Sequence, residues 1–290
     1  MVTLSPAMAA GLVITGLCNG MLVLLTALGF TMIFGLMGIA HFAHSAVFMW
    51  GAYIGWTVAK VSGDFYLGVL AAMLGTAALG LILQRGFLMP LLGEPLRQIL
   101  VSLGLIIFLG EGINLIWGRT AYFVPPPPNL KHFIFFGAVP VLSYRFFVTG
   151  VGIVVILLLH LLLTKTRIGL TVRAATENRE MVECLGINTH KVFSIVFMTG
   201  SILAGLGGAL AAPVLGVSPQ MGYMFLLSVL TVVIIGGLGS IWGSVLASLL
   251  IGLTQAFVAF FYPQAAAAVS IGLMALVLLL RPHGLLGKPI

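Results

Sequence analysis

Charged side chains are concentrated in one internal stretch of this 290-residue chain, residues 164–190. Three of the six acidic residues fall within seven positions there, and the stretch includes Arg173, Glu177, Arg179, Glu180 and Glu183. Residues 171–185 contain neither Gly nor Pro, so we expect one helix with Gly186 as its C-cap. Glu177, Glu180 and Cys184 would then share one side of it. Such a helix can dock into a groove of a soluble partner. The alternative is a solvated loop.

Glycines interrupt apolar sequence in two segments, 35–45 and 236–243, which occupy corresponding places in the two halves of the chain. Broken helices at matching positions are where transporters form a solute pathway. Close helix packing is the alternative, because small residues let membrane helices approach one another. The candidate pathway residues of the two segments are His41, His44, Gly237, Gly239 and Ser240.

The polar residues of these segments also allow two other chemistries. His41 and His44 are three positions apart, but two histidines without a nearby Cys, Asp or Glu make a poor metal site, and we predict none. Ser240 follows Gly239 and could act as a protease nucleophile only if a histidine met it within the membrane. Since His283 lies past the last apolar segment, we expect His41, His44 and Ser240 to bond to the pathway or to backbone freed at the breaks.

Glu111 is the only acidic residue well inside an apolar segment. A carboxylate in a membrane interior costs about 2.5–3.5 kcal/mol on insertion scales, so it should be paired, protonated or facing a water-filled cavity. Asn114 is one turn away and could bond it, or Glu111 could lie at the membrane surface. A small zwitterionic solute would need uncharged polar groups, for which Asn19 and Thr31 are further candidates.

Composition excludes most classes of protein for this chain. Of its residues 61% are hydrophobic and 7% are charged, whereas a soluble domain has about a quarter charged residues. The mean hydropathy is +1.22. A soluble enzyme, a nucleic-acid-binding protein and a disordered chain are therefore excluded. The net charge of +7 is attributed to loops that contact the membrane surface.

Runs of about 20 apolar residues predict membrane-spanning helices. The chain is predicted to form a single all-α transmembrane domain over residues 1–290, a polytopic bundle of eight to nine spans. Residues 222–262 carry no charge and are too long for one crossing, so the glycine segment divides them. The predicted spans are 8–36, 45–60, 65–84, 98–117, 146–163, 191–216, 223–236 extended into the glycine segment, 243–262 and 265–281.

The distribution of Lys and Arg predicts the orientation. With nine spans and a cytoplasmic C-terminus, nine basic residues lie on the cytoplasmic side and four outside, as the positive-inside rule requires. The cytoplasmic set is Arg85, Arg97, Lys165, Arg167, Arg173, Arg179, Lys191, Arg281 and Lys288; the external set is Lys60, Arg119, Lys131 and Arg145. The N-terminus is then external, 164–190 is a cytoplasmic loop and 118–145 an external loop. Pro125–Pro128 in the external loop should be extended rather than helical.

Three ordered motifs resemble one family of membrane proteins. Residues 166–178, TRIGLTVRAATEN, with 185–192, LGINTHKV, are similar to the cytoplasmic coupling loop of ABC-importer permeases. Residues 38–45, GIAHFAHS, with GAY at 51–53, resemble the N-F-A-H-G…G-A-Y signature of LivH-type permeases of branched-chain amino acid importers, although His41 replaces the usual Asn and Ser45 the usual Gly. Residues 236–243, GGLGSIWG, resemble the late glycine segment of that family.

The resemblance implies a permease subunit of an ATP-driven importer in the bacterial inner membrane. It implies branched-chain amino acids or similar small polar solutes, such as urea, amides and small acids, as substrates. The chain has no G-x-x-x-x-G-K-[ST] motif, so ATP and Mg²⁺ would be bound by two partner ATPase subunits. A second, heterodimeric permease and an extracytoplasmic binding protein are the other implied partners. The residues expected to meet the ATPase are Arg173, Glu177, Glu180, Gly186 and Ile187. A self-contained secondary transporter or channel is the alternative.

Overall fold

The computed structural model describes residues 5–38, 41–137 and 139–287. Lys288 of the predicted cytoplasmic set and residues 39–40 of the first glycine segment therefore lie outside the described residues. The described part of the chain contains α1 (Pro6–Met37), α2 (His44–Ser62), α3 (Phe65–Leu83), α4 (Pro95–Trp117), α5 (Tyr144–Lys165), α6 (Arg167–Glu177), α7 (Arg179–Cys184), α8 (Thr189–Leu215), α9 (Met221–Gly236), α10 (Ile241–Phe261) and α11 (Ala266–Leu280).

Each of the nine predicted spans coincides with one of these helices. Six helical stretches are long and apolar enough to cross a membrane, and the shorter apolar helices are α9 and residues 268–280 of α11. The six are Pro6–Gly35, Phe65–Leu91, Pro95–Trp117, Tyr144–Lys165, Thr189–Leu215 and Ile241–Phe261. The prediction of a polytopic helical membrane protein is thus confirmed. The count of eight to nine crossings and the orientation stay predictions.

The expectation of an all-α chain is wrong in the loop 118–145. There β1 (Phe133–Phe136) and β2 (Val139–Leu142) pair as an antiparallel hairpin. Alternating exposure in β2, with Val141 buried, indicates that the hairpin packs on one face, against the start of α1. The tetraproline prediction also fails at its last residue, because Pro128 begins a 3-10 turn, Pro128–Leu130. A proline is tolerated at the first helical position, where its missing N–H needs no partner.

Helix α1 lies at the centre of the bundle, packed against α5, α8, α9 and α10. Small residues make the closest approaches: a Cβ on Gly20 would lie 2.7 Å from the carbonyl oxygen of Ser248, and one on Gly51 2.5 Å from the Cα of Gly205. Such contacts bring backbones together where side chains would separate them. The buried core formed in this way includes Leu25, Phe48, Tyr53, Tyr144 and Leu210.

The two long loops lie at opposite ends of α1. The loop 118–145 is attached to the C-terminal end of α8, where Tyr122 and Val217 exchange two backbone hydrogen bonds of 2.8 and 2.9 Å. The segment 164–190 lies at the other end, where α6 contacts α1 and α8. The chain thus places its main charged segment beside the end of α1 that precedes the first glycine break.

Candidate coupling site

The segment 164–190 contains two helices, and the prediction of one continuous helix over 171–185 is wrong. The backbone of Asn178 is extended between α6 and α7, with φ −151° and ψ 98°, and its side chain accepts a 2.9 Å hydrogen bond from the N–H of Met181. An Asn side chain that bonds nearby backbone competes with a continuing helix and caps a new one. Glu177 therefore belongs to α6 and Glu180 to α7, and they do not share the face of one helix with Cys184.

Gly186 ends the helical stretch as the sequence predicts. Its φ is +79°, in the left-handed region that favours glycine. The N–H of Ile187 donates to the carbonyl of Val182 at 3.3 Å and that of Gly186 to the carbonyl of Glu183 at 2.9 Å. This pair of bonds is a Schellman motif. It turns the chain so that Ile187 is exposed, at 37%.

Glu183 ties α7 to α8, a role that the sequence analysis missed. Its carboxylate accepts from Arg179 Nε at 2.9 Å and from the hydroxyl of Thr189, the first residue of α8, at 2.5 Å. These hydrogen bonds, first that from Thr189 and then that from Arg179, lower the pKa of Glu183 below its usual value. The guanidinium of Arg179 also lies 5.1 Å from the ring centroid of Phe193 in α8. The i, i+4 spacing of Arg179 and Glu183 was a visible signal.

A cavity of about 230 Å³ joins the charged segment to the centre of the bundle. We call it the junction cavity; it is lined by Thr31, Met32, Gly35, Leu163, Val172, Arg173, Thr176, Glu177, Gly239 and Ile241. It brings together two predicted groups, since Arg173 and Glu177 were expected at an ATPase and Thr31 and Gly239 on a pathway. Its other lining residues could not be predicted from the sequence, because they come from α1, α5, α6 and α10 and share no local pattern.

The turn between α9 and α10 forms one wall of the junction cavity. Its glycines Gly237 and Gly239 have φ values of +98° and +81°. A Cβ on Gly35 of α1 would lie 2.9 Å from the Cα of Gly239, so α1 and this turn meet backbone to backbone. Ser240 caps α10 by accepting from the N–H of Gly243 at 3.1 Å, a bond to backbone freed at the break. Thr31 and Ser244 share a buried 2.8 Å hydrogen bond beside this turn.

His41 and His44 lie deeper, at the first break, and do not line the junction cavity. Both rings are fully buried, with centroids 5.9 Å apart, and the ring of His41 is 4.9 Å from that of Phe197. The two ring nitrogens of His41 have no hydrogen-bond partner within the residues that the structure describes, whereas the His44 ring lies beside the backbone of Thr26. Over those same residues no group of three or more His, Cys, Asp or Glu could hold a metal ion.

The remaining predicted residues lie apart from the junction cavity. Asn19 is half-buried in α1, and Glu111 is exposed on α4. Glu180 is exposed on α7. Gly186 and Ile187 line a separate surface groove of about 410 Å³ together with Arg167 and Lys191. The structure thus places the predicted site residues in several regions: Arg173, Glu177, Thr31 and Gly239 meet at the junction cavity, and Gly186 and Ile187 meet at the surface groove.

Comparison with known proteins gives consistent matches along the chain. Residues 12–280 match the family described as "Branched-chain amino acid transport system / permease component". The chain is 32% identical to the high-affinity branched-chain amino acid transport system permease protein BraD of Pseudomonas aeruginosa, over 95% of each protein. It is 29% identical to the corresponding permease protein LivH of Escherichia coli K12, over 94% of each.

A solved structure shares the fold. The chain resembles a structure described as PsaBC from Streptococcus pneumoniae in complex with Fab, with a TM-score of 0.50 and 14% sequence identity. The alignment covers 92% of this chain and 89% of that one. At this identity the likeness concerns the architecture alone.

Proposed function

The chain belongs to the family of permease components of branched-chain amino acid transport systems, and on that premise we propose that it is the membrane subunit of an ATP-driven importer. It would admit branched-chain amino acids or similar small polar solutes to the cytoplasm by alternating access. We propose as its partners two ATP-binding subunits, a second homologous permease in a heterodimer, and an extracytoplasmic binding protein. The alternative is a self-contained transporter or channel.

The junction cavity is the observation that carries this proposal. Its lining includes Arg173 and Glu177 of α6, both exposed, and Gly239 of the glycine turn. A partner that pushes on α6 would move one wall of the cavity against the other. Because α6 directly follows α5 and contacts α1, such a push reaches the centre of the bundle. In this way ATP-driven motion outside the membrane would be transmitted to the pathway.

The surface of α6 and α7 suits a docking partner. Apolar side chains are exposed there beside the charges; Leu170 is 62%, Met181 59% and Leu185 73% exposed. Exposed apolar groups surrounded by polar ones are typical of protein–protein interfaces. In the proposed orientation this surface faces the cytoplasm, where the ATP-binding subunits lie.

Reconstitution with purified partners tests the proposal. We expect the double charge reversal Glu177→Lys with Glu180→Lys to abolish coupled uptake in proteoliposomes while the chain still inserts. The matched control is Glu94→Lys, which reverses an acidic residue that forms only an exposed 2.6 Å ion pair with Arg97. Uptake by the isolated chain without any ATPase would overturn the importer in favour of the self-contained transporter. Normal coupled uptake in the double variant would contradict the docking assignment.

A further inference from the structure

A second polar cavity lies beside the start of α8, away from the junction cavity. It has a volume of about 270 Å³ and is lined by Gln84, Arg85, Met89, Asn188, His190, Lys191 and Ser194. At its base the hydroxyl of Ser194 donates to the side-chain carbonyl of Gln84 at 3.0 Å, and Gln84 is fully buried. That bond joins the end of α3 to the first turns of α8, so the cavity has a fixed floor.

The charges around this cavity are unbalanced. Arg85, His190 and Lys191 line it, and no carboxylate does so among the described residues. Glu183, whose pKa is lowered chiefly by its hydrogen bonds from Thr189 and Arg179 and also by nearby His190, is already bonded to those two partners. The junction cavity differs, since Arg173 there is accompanied by Glu177. A cavity with cationic side chains and no acidic side chain of its own is suited to an external anion.

The position of Arg85 along its helix indicates what kind of anion. It follows Phe65, the first residue of α3, by 20 residues, or about 30 Å of helix, which equals the thickness of the hydrocarbon core. Residues Gln84–Leu88 form a π-helical turn at this level, an irregularity often found at functional sites. With Phe65 at one boundary of the hydrocarbon core, Arg85 and the cavity would lie at the level of the phospholipid headgroups at the other boundary.

Apolar side chains next to the cavity face outward. Ile82 is 63% and Phe87 44% exposed, on either side of Arg85 in a stretch that is apolar enough to span the membrane. Ile195, four residues after Lys191, is 37% exposed. A ligand that fits this surface has an anionic head and acyl chains, whereas an acidic soluble protein would leave Ile82 and Phe87 without a suitable contact.

We propose that this cavity binds the phosphate headgroup of an anionic phospholipid. Arg85 and Lys191 neutralise the phosphate, and the amide of Asn188 and the His190 ring supply hydrogen bonds. Basic pockets between membrane helices bind such headgroups on the cytoplasmic side of other proteins. Assignment to the inner leaflet rests on the orientation proposed above, whereas lipid binding itself does not depend on it.

Native mass spectrometry of the purified full-length chain tests this site. We expect the chain to retain dioleoylphosphatidylglycerol in preference to dioleoylphosphatidylcholine. Arg85→Gln with Lys191→Gln should weaken retention about 25-fold, since each cation near a membrane surface contributes about 1 kcal/mol, or about five-fold. The control Lys165→Gln with Arg119→Gln removes the same charge from residues outside the cavity and should retain the lipid.

Several results would overturn the proposal. One is equal retention of the two lipids, and another is an equal loss of lipid in the site variant and in the control variant. A third is displacement of the lipid by millimolar inorganic phosphate, which would make this a site for free phosphate. Loss of binding to the ATP-binding subunits with lipid retention unchanged would assign the cavity to an acidic protein surface. If the double variant does not fold, Arg85→Gln alone should show a five-fold loss that Arg85→Lys restores. None of these results depends on coupled uptake.

Discussion

At the scale of single residues, the contact between Gly35 and Gly239 determines how close α1 comes to the α9–α10 turn. Gly239 combines a φ of +81° with a neighbour 3.1 Å from where its Cβ would be, the Cα of Gly35. An alanine at position 239 would have a strained backbone conformation. Its Cβ would also contact the backbone of Gly35, which cannot move aside as a flexible side chain can. Glycine is required at this position by its geometry, not only by helix packing in general.

We therefore expect Gly239→Ala to destabilise the fold by at least about 1 kcal/mol, the cost of a left-handed conformation for a residue with a Cβ. Coupled uptake should fall as well, because the turn forms a wall of the junction cavity. Thermal unfolding and uptake measure the two effects. Gly104→Ala is the matched control, since nothing lies within 4 Å of its Cβ position and its φ is not left-handed. Equal stability of the two variants would contradict this explanation.

The carboxylate of Glu183 makes the packing of α7 on α8 dependent on pH. The pKa of Glu183 is lowered in the folded chain, so its bonds to Thr189 and Arg179 contribute fully above the ordinary pKa of a glutamate. Their contribution is lost as the pH falls through the lowered value. Hydrogen exchange of α7, corrected for intrinsic rates, should show protection that decreases over that acidic range. Glu183→Gln should lack this transition; if it keeps it, another group is responsible.

At the scale of elements, the break between α6 and α7 separates two functions of the charged segment. Helix α6 lines the junction cavity with Arg173 and Glu177, while α7 is bonded to α8 through Glu183. A single helix over 171–185 would have to hold both contacts rigidly. Because Asn178 interrupts the helix, α6 can line the junction cavity while α7 stays bonded to α8.

Replacing Asn178 tests the importance of that break. Asn178→Ala removes the N-cap bond to Met181 and should destabilise α7 by about 1 kcal/mol. Asn178→Ser is the matched control, because a serine hydroxyl caps helices nearly as well. Hydrogen exchange in residues 179–184 should accelerate in the alanine variant and not in the serine variant. Similar exchange in both would mean that tertiary contacts, not the cap, hold α7.

At the scale of the whole molecule, the two loops at opposite ends of α1 allow the orientation to be measured. Cys184 in α7 is exposed and Cys18 in α1 is buried. A membrane-impermeant maleimide should therefore modify Cys184 only from the side on which the segment 164–190 lies. The proposed orientation places that side in the cytoplasm.

We expect Cys184 to be modified in inverted membrane vesicles and protected in right-side-out vesicles. Lys131→Cys in a Cys184→Ser background is the control, because residue 131 lies in the loop at the opposite end and should show the reverse pattern. Modification of Cys184 only in right-side-out vesicles would indicate the opposite orientation of the chain in the membrane. Added ATP-binding subunits should slow the modification in inverted vesicles if they dock on α6 and α7.

Much of the fold was predictable because its signals are local. Apolar runs, divided by charged residues or by glycine segments, located nine of the helices, six of which are long and apolar enough to span a membrane. Gly186 was identified as the end of a helix by its position after a Gly-free stretch. The break at Asn178 was missed although Asn is a common cap, because apolar and charged residues continue across it. The hairpin at 133–142 was missed although its strands, FIFF and VPVL, are aromatic and β-branched runs on either side of Gly137, a pattern that is typical of a hairpin.

The sequence by itself determined the class of protein, since so few charged residues cannot cover a water-exposed surface, and it located the charged segment and both glycine breaks. Only the tertiary structure decided that the charged segment, the end of α1 and the second glycine break meet in one cavity. Thr31 and Ser244 bond across 213 positions of the chain, and Gly35 contacts Gly239. Such contacts depend on how α1 packs against α10. Hydrophobic patterns and helical spacing do not specify that packing, because they describe only residues that are close together along the chain.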